Sequence, residues 1–198
     1  MTFKEILKIT ANLVVLYVAG GLILAAVYVK TAPIIAEKAA QEKKEALQKM
    51  MPDADTIQKL GDWKPHGKLA EYFVAKKDGA VIGYVVQTFA KGYSSYINIL
   101  FSVNNNFVVQ QIDILHHAET PGLGDEITTK WFKGQFHGKD MEHLKVVKRE
   151  TTEYIQAISG ATISSRAVTK DGIKKGLKFL EKALKGEKQH EPPTARKG

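Results

Sequence analysis

The sequence predicts an α+β protein in which one membrane-spanning helix and a helical connector precede a single folded domain. Three observations support this prediction: an uncharged apolar run near the N-terminus, two strand pairs joined by turn-forming residues, and a helical apolar repeat near the C-terminus. A chain of 198 residues suits one ordinary domain with such an anchor. We therefore expect an anchor at 1–30, a connector at 31–50, the domain at 51–185 and a disordered tail at 186–198.

The apolar run extends from Ala11 to Val29 and contains no charged residue. A helix of that length, at ~1.5 Å per residue, covers roughly 28 Å, which is close to the hydrocarbon thickness of a bilayer. A signal peptide has a shorter apolar region and ends at a small-residue cleavage site, so we favour a retained single-pass helix. The lysines on its two sides leave the orientation open, because long domains translocate largely regardless of charge.

The region after the anchor changes from helical to strand-like patterning. Residues 34–50 lack glycine and are rich in Ala, Glu, Lys and Gln, which is typical of a solvated helical connector. Asp78-Gly79 and the run Asn104 to Asn106 favour tight turns, since these residue types tolerate positive φ. They predict antiparallel hairpins that join 72–76 to 81–89 and 96–103 to 107–115.

The rest of the domain is predicted to be mainly helical. We expect a short helix within 127–136, a strand within 144–149 and a final helix at about 164–185. The final helix is predicted from apolar residues at mostly helical spacing, namely Val168, Ile173, Leu177, Leu180 and Leu184. Gly172 and Gly176 lower its helix propensity slightly.

The composition excludes several kinds of function. The chain has no cysteine, which rules out disulfides, iron–sulfur clusters, cysteine-ligated zinc and a thiol nucleophile. Its net charge is +8, but only three of the 29 basic residues are Arg and the lysines are spread along the chain, so we expect no nucleic-acid binding. His116, His117 and Glu119 are weak evidence for a metal, and we expect none.

Two short segments could carry chemistry. The run Ile158 to Ser165 combines small residues and hydroxyls just before a helix, where free N–H groups can hold an anion such as a phosphate. Taken alone, this run is better explained by Ser or Thr capping of the helix. The run Glu119 to Asp125 contains Pro121, Gly122 and Gly124, and alone it predicts only a surface turn.

The order and spacing of the two segments resemble the FMN-binding domain family. The resemblance rests on His117-Ala118-Glu119-Thr120-Pro121-Gly122-Leu123-Gly124 and, some 35 residues later, Ser159-Gly160-Ala161-Thr162. Lys91-Gly92-Tyr93 before a strand is similar to the family pattern as well. With its anchor, the chain resembles the G subunit of Rnf-type electron transport complexes and the related C subunit of sodium-translocating NADH:quinone reductases.

This resemblance implies a cofactor, FMN, held as a phosphoester of Thr162 and attached by a separate flavin transferase. The implied cofactor site comprises Thr162, Ser159, Gly160, Ala161, Ser164, Ser165, His117, Glu119, Thr120, Gly122 and Leu123. The family motif has an acidic residue three positions before its serine, whereas this chain has Gln156. The resemblance implies that the transferase reads that acidic residue.

The resemblance also implies an electron relay without a substrate pocket of its own. Its partners would be the other membrane subunits of an Rnf-type complex, which couples ferredoxin and NAD redox chemistry to ion movement. The protein would lie in the cell inner or plasma membrane, with its flavin domain outside the cytoplasm. Three alternatives stay open: the quinone reductase subunit, a tethered domain that binds an anion without redox chemistry, and a structural assembly subunit.

Overall fold

The computed structural model describes residues 3–187, and the chain divides into two compact units, one up to Ala46 and one from Leu47 onward. A single helix, α1 (Phe3–Met50), covers the predicted anchor from Phe3 onward and the predicted connector, and it continues through Pro33. Its segment Phe3–Ile35 is long and apolar enough to cross a membrane, and none of its apolar window is buried inside the protein. The predicted domain boundaries stay predictions, and 188–198 of the predicted tail lie outside the described residues.

The second unit is built on a five-stranded antiparallel sheet in which each strand pairs with the next along the chain. The strands are β1 (Thr56–Trp63), β2 (Ala70–Lys77), β3 (Ala80–Lys91), β4 (Tyr96–Asn104) and β5 (Val109–His116), with a 3₁₀ turn at Pro65–Gly67. Both predicted hairpins are confirmed, and Asp78 and Gly79 adopt φ of 50° and 79° at the first turn. Strand β1 was not predicted, because it lies at the sheet edge and most of its residues are exposed without alternation.

A helix covers one face of the sheet. It consists of α3 (Thr162–Arg166), a π-helical segment (Ala167–Lys174) and α4 (Lys175–Glu187), which we call the C-terminal helix. The predicted apolar positions Val168, Ile173, Leu177 and Leu180 are fully buried in the core with β4 residues such as Phe101. This sheet and helix confirm the predicted α+β class.

Gly172 and Gly176 allow the C-terminal helix to approach the sheet closely. A Cβ at Gly172 would lie 2.4 Å from Cδ1 of Ile99, and one at Gly176 would lie 2.7 Å from Cε1 of Phe101. Both distances are shorter than real carbon contacts, so a larger residue would force either the helix or the facing side chain to shift. The low helix propensity of these two glycines is therefore offset by tighter packing.

Short elements fill the remainder of the domain. The predicted helix at 127–136 is two pieces, a 3₁₀ helix (Gly124–Thr128) and α2 (Lys130–Gly134), and Thr129 caps α2 by accepting the Phe132 N–H. The predicted strand at 144–149 is only β6 (Val146–Val147), which pairs in parallel with β7 (Ile155–Gln156). Two-residue strands are too short to produce a periodic pattern, which explains why β7 was not predicted.

Candidate cofactor site

The carboxylate of Glu119 joins three parts of the chain at one end of the sheet. Its Oε2 accepts the Tyr93 N–H at 2.9 Å and the Ser164 hydroxyl at 2.5 Å. Its Oε1 accepts the N–H groups of Ser94 and Ser95 at 3.1 and 3.0 Å. The β3–β4 loop, the loop after β5 and the first turn of the C-terminal helix are thus tied to one buried side chain.

These hydrogen bonds also fix the charge of Glu119. Burial raises the pKa of its carboxyl group, but the hydrogen bonds from Ser164 and from the three backbone N–H groups outweigh burial and hold the pKa below its usual 4.5. The side chain is therefore an anion at neutral pH. Since its oxygens already accept several hydrogen bonds, Glu119 positions the surrounding loops and is a poor candidate for a general base.

Two glycines provide the space that the Glu119 side chain occupies. A Cβ at Gly92 would lie 2.5 Å from Oε1 of Glu119, and a Cβ at Gly124 would lie 2.8 Å from its Cβ. The space needed by the Glu119 side chain thus explains Gly92 in Lys91-Gly92-Tyr93 and Gly124 in Gly122-Leu123-Gly124. Both loops must approach the carboxylate more closely than any side chain permits.

Replacing Gly92 by alanine is expected to destabilise the domain by about 1–3 kcal/mol, because the carboxylate is fixed by its hydrogen bonds and cannot move aside. The measurement is thermal unfolding of the detergent-solubilised chain, followed by circular dichroism. Gly134→Ala is the matched control, since a Cβ there meets nothing within 4 Å. Equal melting temperatures for the two variants would contradict this packing role.

The Ser159–Thr162 loop meets the C-terminal helix without a side-chain cap. The N-cap residue is Ala161, whose side chain cannot accept a hydrogen bond, so the explanation of this segment as Ser or Thr capping is wrong. The buried Ser165 hydroxyl instead accepts the Ile158 N–H at 3.0 Å and donates to the Ala161 carbonyl at 2.9 Å. It closes the loop, and Gly160 supplies the positive φ of 76° that the turn requires.

Seven of the predicted site residues line a single open cavity of about 720 Å³. They are Glu119, Thr120, Leu123, Gly160, Ala161, Thr162 and Ser164. A neighbouring cavity of about 640 Å³ shares Gly160 and Thr162 and is also lined by Ser159. Thr162 thus borders both cavities, and the two predicted motifs, distant in sequence, meet beside it.

Three predicted site residues lie outside the lining of these cavities. His117 is half-buried and its Nδ1 accepts the Glu119 N–H at 3.2 Å. Gly122 has φ of 71° in an exposed turn, and Ser165 is buried behind the loop. These residues shape the loops that carry the cavity walls.

Among the further residues that line these cavities and were not predicted as site residues, four have exposed side chains. Tyr93 and Ile163 line the larger cavity, Trp131 lines the smaller one, and Lys148 lines both. The three apolar side chains are 69%, 53% and 52% exposed in the order given. Exposed aromatic residues are a usable signal for a ligand surface, but Trp131 and Lys148 lie outside the predicted motifs, and nothing local groups them with Tyr93 and Ile163.

The fold and the site together define an FMN-binding domain carried behind an apolar helix. A family model described as the FMN-binding domain matches residues 92–178, which include the β3–β4 loop, Glu119 and most of the C-terminal helix. NqrC of Shewanella oneidensis has the same fold, with a TM-score of 0.50 and 23% identity over 69% of this chain and 74% of that chain.

Curated relatives place the chain more narrowly. The G subunit of a proton-translocating ferredoxin:NAD(+) oxidoreductase complex from Clostridium ljungdahlii is 38% identical over 88% of this chain and 91% of its own length. The G subunit of a Na(+)-translocating ferredoxin:NAD(+) oxidoreductase complex from Acetobacterium woodii is 32% identical over 92% and 95%. The chain belongs to the family of G subunits of ion-translocating ferredoxin:NAD(+) oxidoreductase complexes, as the resemblance in its sequence implied.

Proposed function

We propose that this protein is a membrane-anchored electron-relay subunit that carries FMN as a phosphoester on Thr162, within an ion-translocating ferredoxin:NAD(+) oxidoreductase complex. The observation that carries the proposal is the place of Thr162, at the first position of the C-terminal helix and on the border of both cavities. The apolar segment of α1 would hold the domain at the membrane. The other subunits of the complex would be its partners.

The residues around Thr162 fit FMN in both of its parts. The flat isoalloxazine ring matches the exposed apolar side chains of Tyr93, Leu123 and Ile163 in the larger cavity. The phosphate matches the start of the helix, where free N–H groups favour an anion, and the cationic side chain of Lys148. Placed here, FMN would supply the capacity to take up and pass on electrons.

The residues of the chain would hold the flavin and take no part in attaching it. A threonine hydroxyl is a weak nucleophile unless a base activates it. Among residues 3–187, no histidine or carboxylate forms a hydrogen bond with the Thr162 hydroxyl, and Glu119 is committed to its own partners. A separate flavin transferase would therefore form the ester, as the resemblance implies.

A covalent flavin also agrees with a domain that lies outside the cytoplasm, which is the orientation we propose. A noncovalent flavin would be lost by dissociation there, whereas an ester on Thr162 retains it. The orientation is testable by protease digestion of sealed spheroplasts. Digestion of the domain without lysis supports it, and protection until lysis contradicts it.

The test of the proposed function is intact mass spectrometry with in-gel flavin fluorescence after full denaturation. The full chain is co-expressed with a flavin transferase that modifies a known substrate. A mass gain equal to FMN less one water, with fluorescence at the position of the chain, supports the relay. An unmodified mass in both wild type and Gln156→Glu contradicts it and favours the alternatives of a reversible anion-binding domain or a structural subunit.

Replacing Gln156 by glutamate is expected to raise the fraction of chains that carry flavin. Gln156 borders the same small cavity as Ser159 and Thr162, at the position where the family motif is acidic. Its backbone is held by Gln135, which accepts its N–H at 2.7 Å and donates to its carbonyl at 3.4 Å, and the substitution leaves both bonds in place.

The measurement is the ratio of modified to unmodified mass after equal expression with the transferase. Gln111→Glu on β5 is the matched control, because it makes the same chemical change at an exposed position. We expect higher occupancy for the Gln156 variant alone. Equal occupancy for wild type and both variants would show that the transferase does not read this position.

A further inference from the structure

A further cavity lies along the C-terminal helix and shares no lining residue with the two cavities of the candidate cofactor site. Its volume is about 460 Å³, and its floor includes the buried side chain of Leu144 beside β6. Six of its eight lining residues are basic and none is acidic: Lys145, Arg166, Lys170, Lys174, Lys175 and Lys178. We call this feature the basic cleft.

The positive charge of the basic cleft is only partly balanced. Lys175 pairs with Asp171 at 2.6 Å, but within the described residues Lys170 and Lys178 form no ion pair. Asp140 and Glu142 are the acidic groups close enough to influence Lys174. Burial, followed by the charges of Lys145 and Lys178, lowers the pKa of Lys174, which shows how closely the cations are gathered.

The shape of the basic cleft follows the helix. Arg166, Lys170, Lys174 and Lys178 recur every four residues, so the row extends over at most about 18 Å of helix, the length that ~1.5 Å per residue would give for an α-helix throughout. The row begins four residues after Thr162, on the same helix. Any molecule that binds along it would therefore lie next to the cofactor site.

We propose that the basic cleft is the docking surface for an acidic face of a redox partner subunit. This inference rests on the proposed function, because the row of basic residues is given a role in electron transfer only if the flavin is attached nearby at Thr162. Single cations spaced along a helix match carboxylates spread over a protein surface, whereas a compact phosphate group needs donors that converge on one point. The exposed, flexible lysine stems over an apolar floor are typical of a contact that steers a partner electrostatically.

The test uses the assembled complex, purified in detergent through an affinity tag on this chain. The cleft variant is Lys170→Glu with Lys178→Glu, both exposed positions of the C-terminal helix. The control variant is Lys77→Glu with Lys185→Glu, which makes the same change in net charge at exposed positions outside the basic cleft. Lys170→Gln with Lys178→Gln repeats the test without charge reversal, in case the first variant does not fold.

Three quantities are measured: in-gel flavin fluorescence, the fraction of the other subunits retained at increasing salt, and the rate at which NADH bleaches the flavin. We expect all variants to carry flavin. For the cleft variant we expect retention to be lost at lower salt, or bleaching to slow about tenfold with a weaker salt dependence. The control variant is expected to match wild type in every measurement.

The possible failures are distinguishable. Flavin absent from every variant, wild type included, refutes the proposed function rather than the docking surface. Flavin present in all, with equal retention and equal bleaching rates, overturns the docking proposal alone. A defect of the cleft variant that is absent in detergent and occurs only in vesicles of anionic phospholipid also overturns it, because the basic cleft would then bind lipid headgroups.

Discussion

Replacing Thr162 by alanine is expected to remove the flavin from the denatured chain completely while leaving the domain folded. The Thr162 hydroxyl would be the point of attachment. Without it the covalent bond to FMN cannot form, which is a larger effect than a weaker affinity for the flavin. Thr162 is half-exposed at the first position of the helix, and the N-cap role belongs to Ala161, so the loss of its hydroxyl should cost little stability. The measurement is in-gel fluorescence and intact mass of the variant beside wild type.

Two matched variants separate attachment from local structure. Thr162→Ser keeps a hydroxyl at the same position and should retain flavin, although serine lacks the methyl group that the transferase would contact. Ser159→Ala removes an exposed hydroxyl of the same loop and should retain flavin as well. Fluorescence that persists in Thr162→Ala, or that is lost equally in Ser159→Ala, would contradict Thr162 as the site.

Local sequence predicts this fold wherever the structure depends on local chemistry. The Asp78-Gly79 turn is an example, because positive φ at both positions is a property of these two residues and their immediate neighbours. Strand β1 illustrates the opposite case. Its backbone is held by pairing with β2, and its exposed edge position removes the alternation that would have marked it as a strand.

The candidate cofactor site could be predicted from its motifs only in part, because its other wall residues come from elsewhere in the chain. Glu119 and Thr162 belong to short patterns with a resemblance to a known family, and the fold brings those patterns together. Lys148 carries no local signal, because one lysine among many is ordinary in sequence, and the Lys91-Gly92-Tyr93 pattern does not mark Tyr93 as a residue of the cavity. Only the tertiary structure places them on the same cavity wall.

From the sequence, Glu119 was predicted only to contact the flavin. The structure indicates that it also holds the surrounding loops together. Its carboxylate accepts hydrogen bonds from the backbone of the β3–β4 loop and from the Ser164 hydroxyl, so it holds that loop against the start of the C-terminal helix. The resemblance alone could not reveal this role, since the hydrogen-bond donors come from residues 24 to 45 positions away. Removing this carboxylate is therefore expected to lower the stability of the domain strongly.

Replacing Glu119 by alanine is expected to destabilise the domain by about 3–5 kcal/mol, because three backbone N–H groups and the hydroxyls of Ser164 and Ser95 lose an acceptor that is buried. For a domain of this size we expect the melting temperature to fall by roughly 10 °C. Glu126→Ala removes an exposed carboxylate and serves as the control. A shift no larger than that of the control would refute the role of Glu119 in holding the loops together.

Glu119→Gln isolates the charge from the shape, and its signature is a change in pH dependence. In wild type the folded pKa lies below the ordinary 4.5, so the stabilisation is fully present above about pH 4.5 and is lost as the pH falls through the folded value. The glutamine variant cannot ionise, so its deficit relative to wild type should be largest at neutral pH. That deficit should shrink on acidification, because wild-type Glu119 then becomes protonated as well. Unfolding midpoints measured from neutral to acidic pH test this convergence, and a deficit that stays constant across the range would show that the charge of Glu119 contributes nothing to stability.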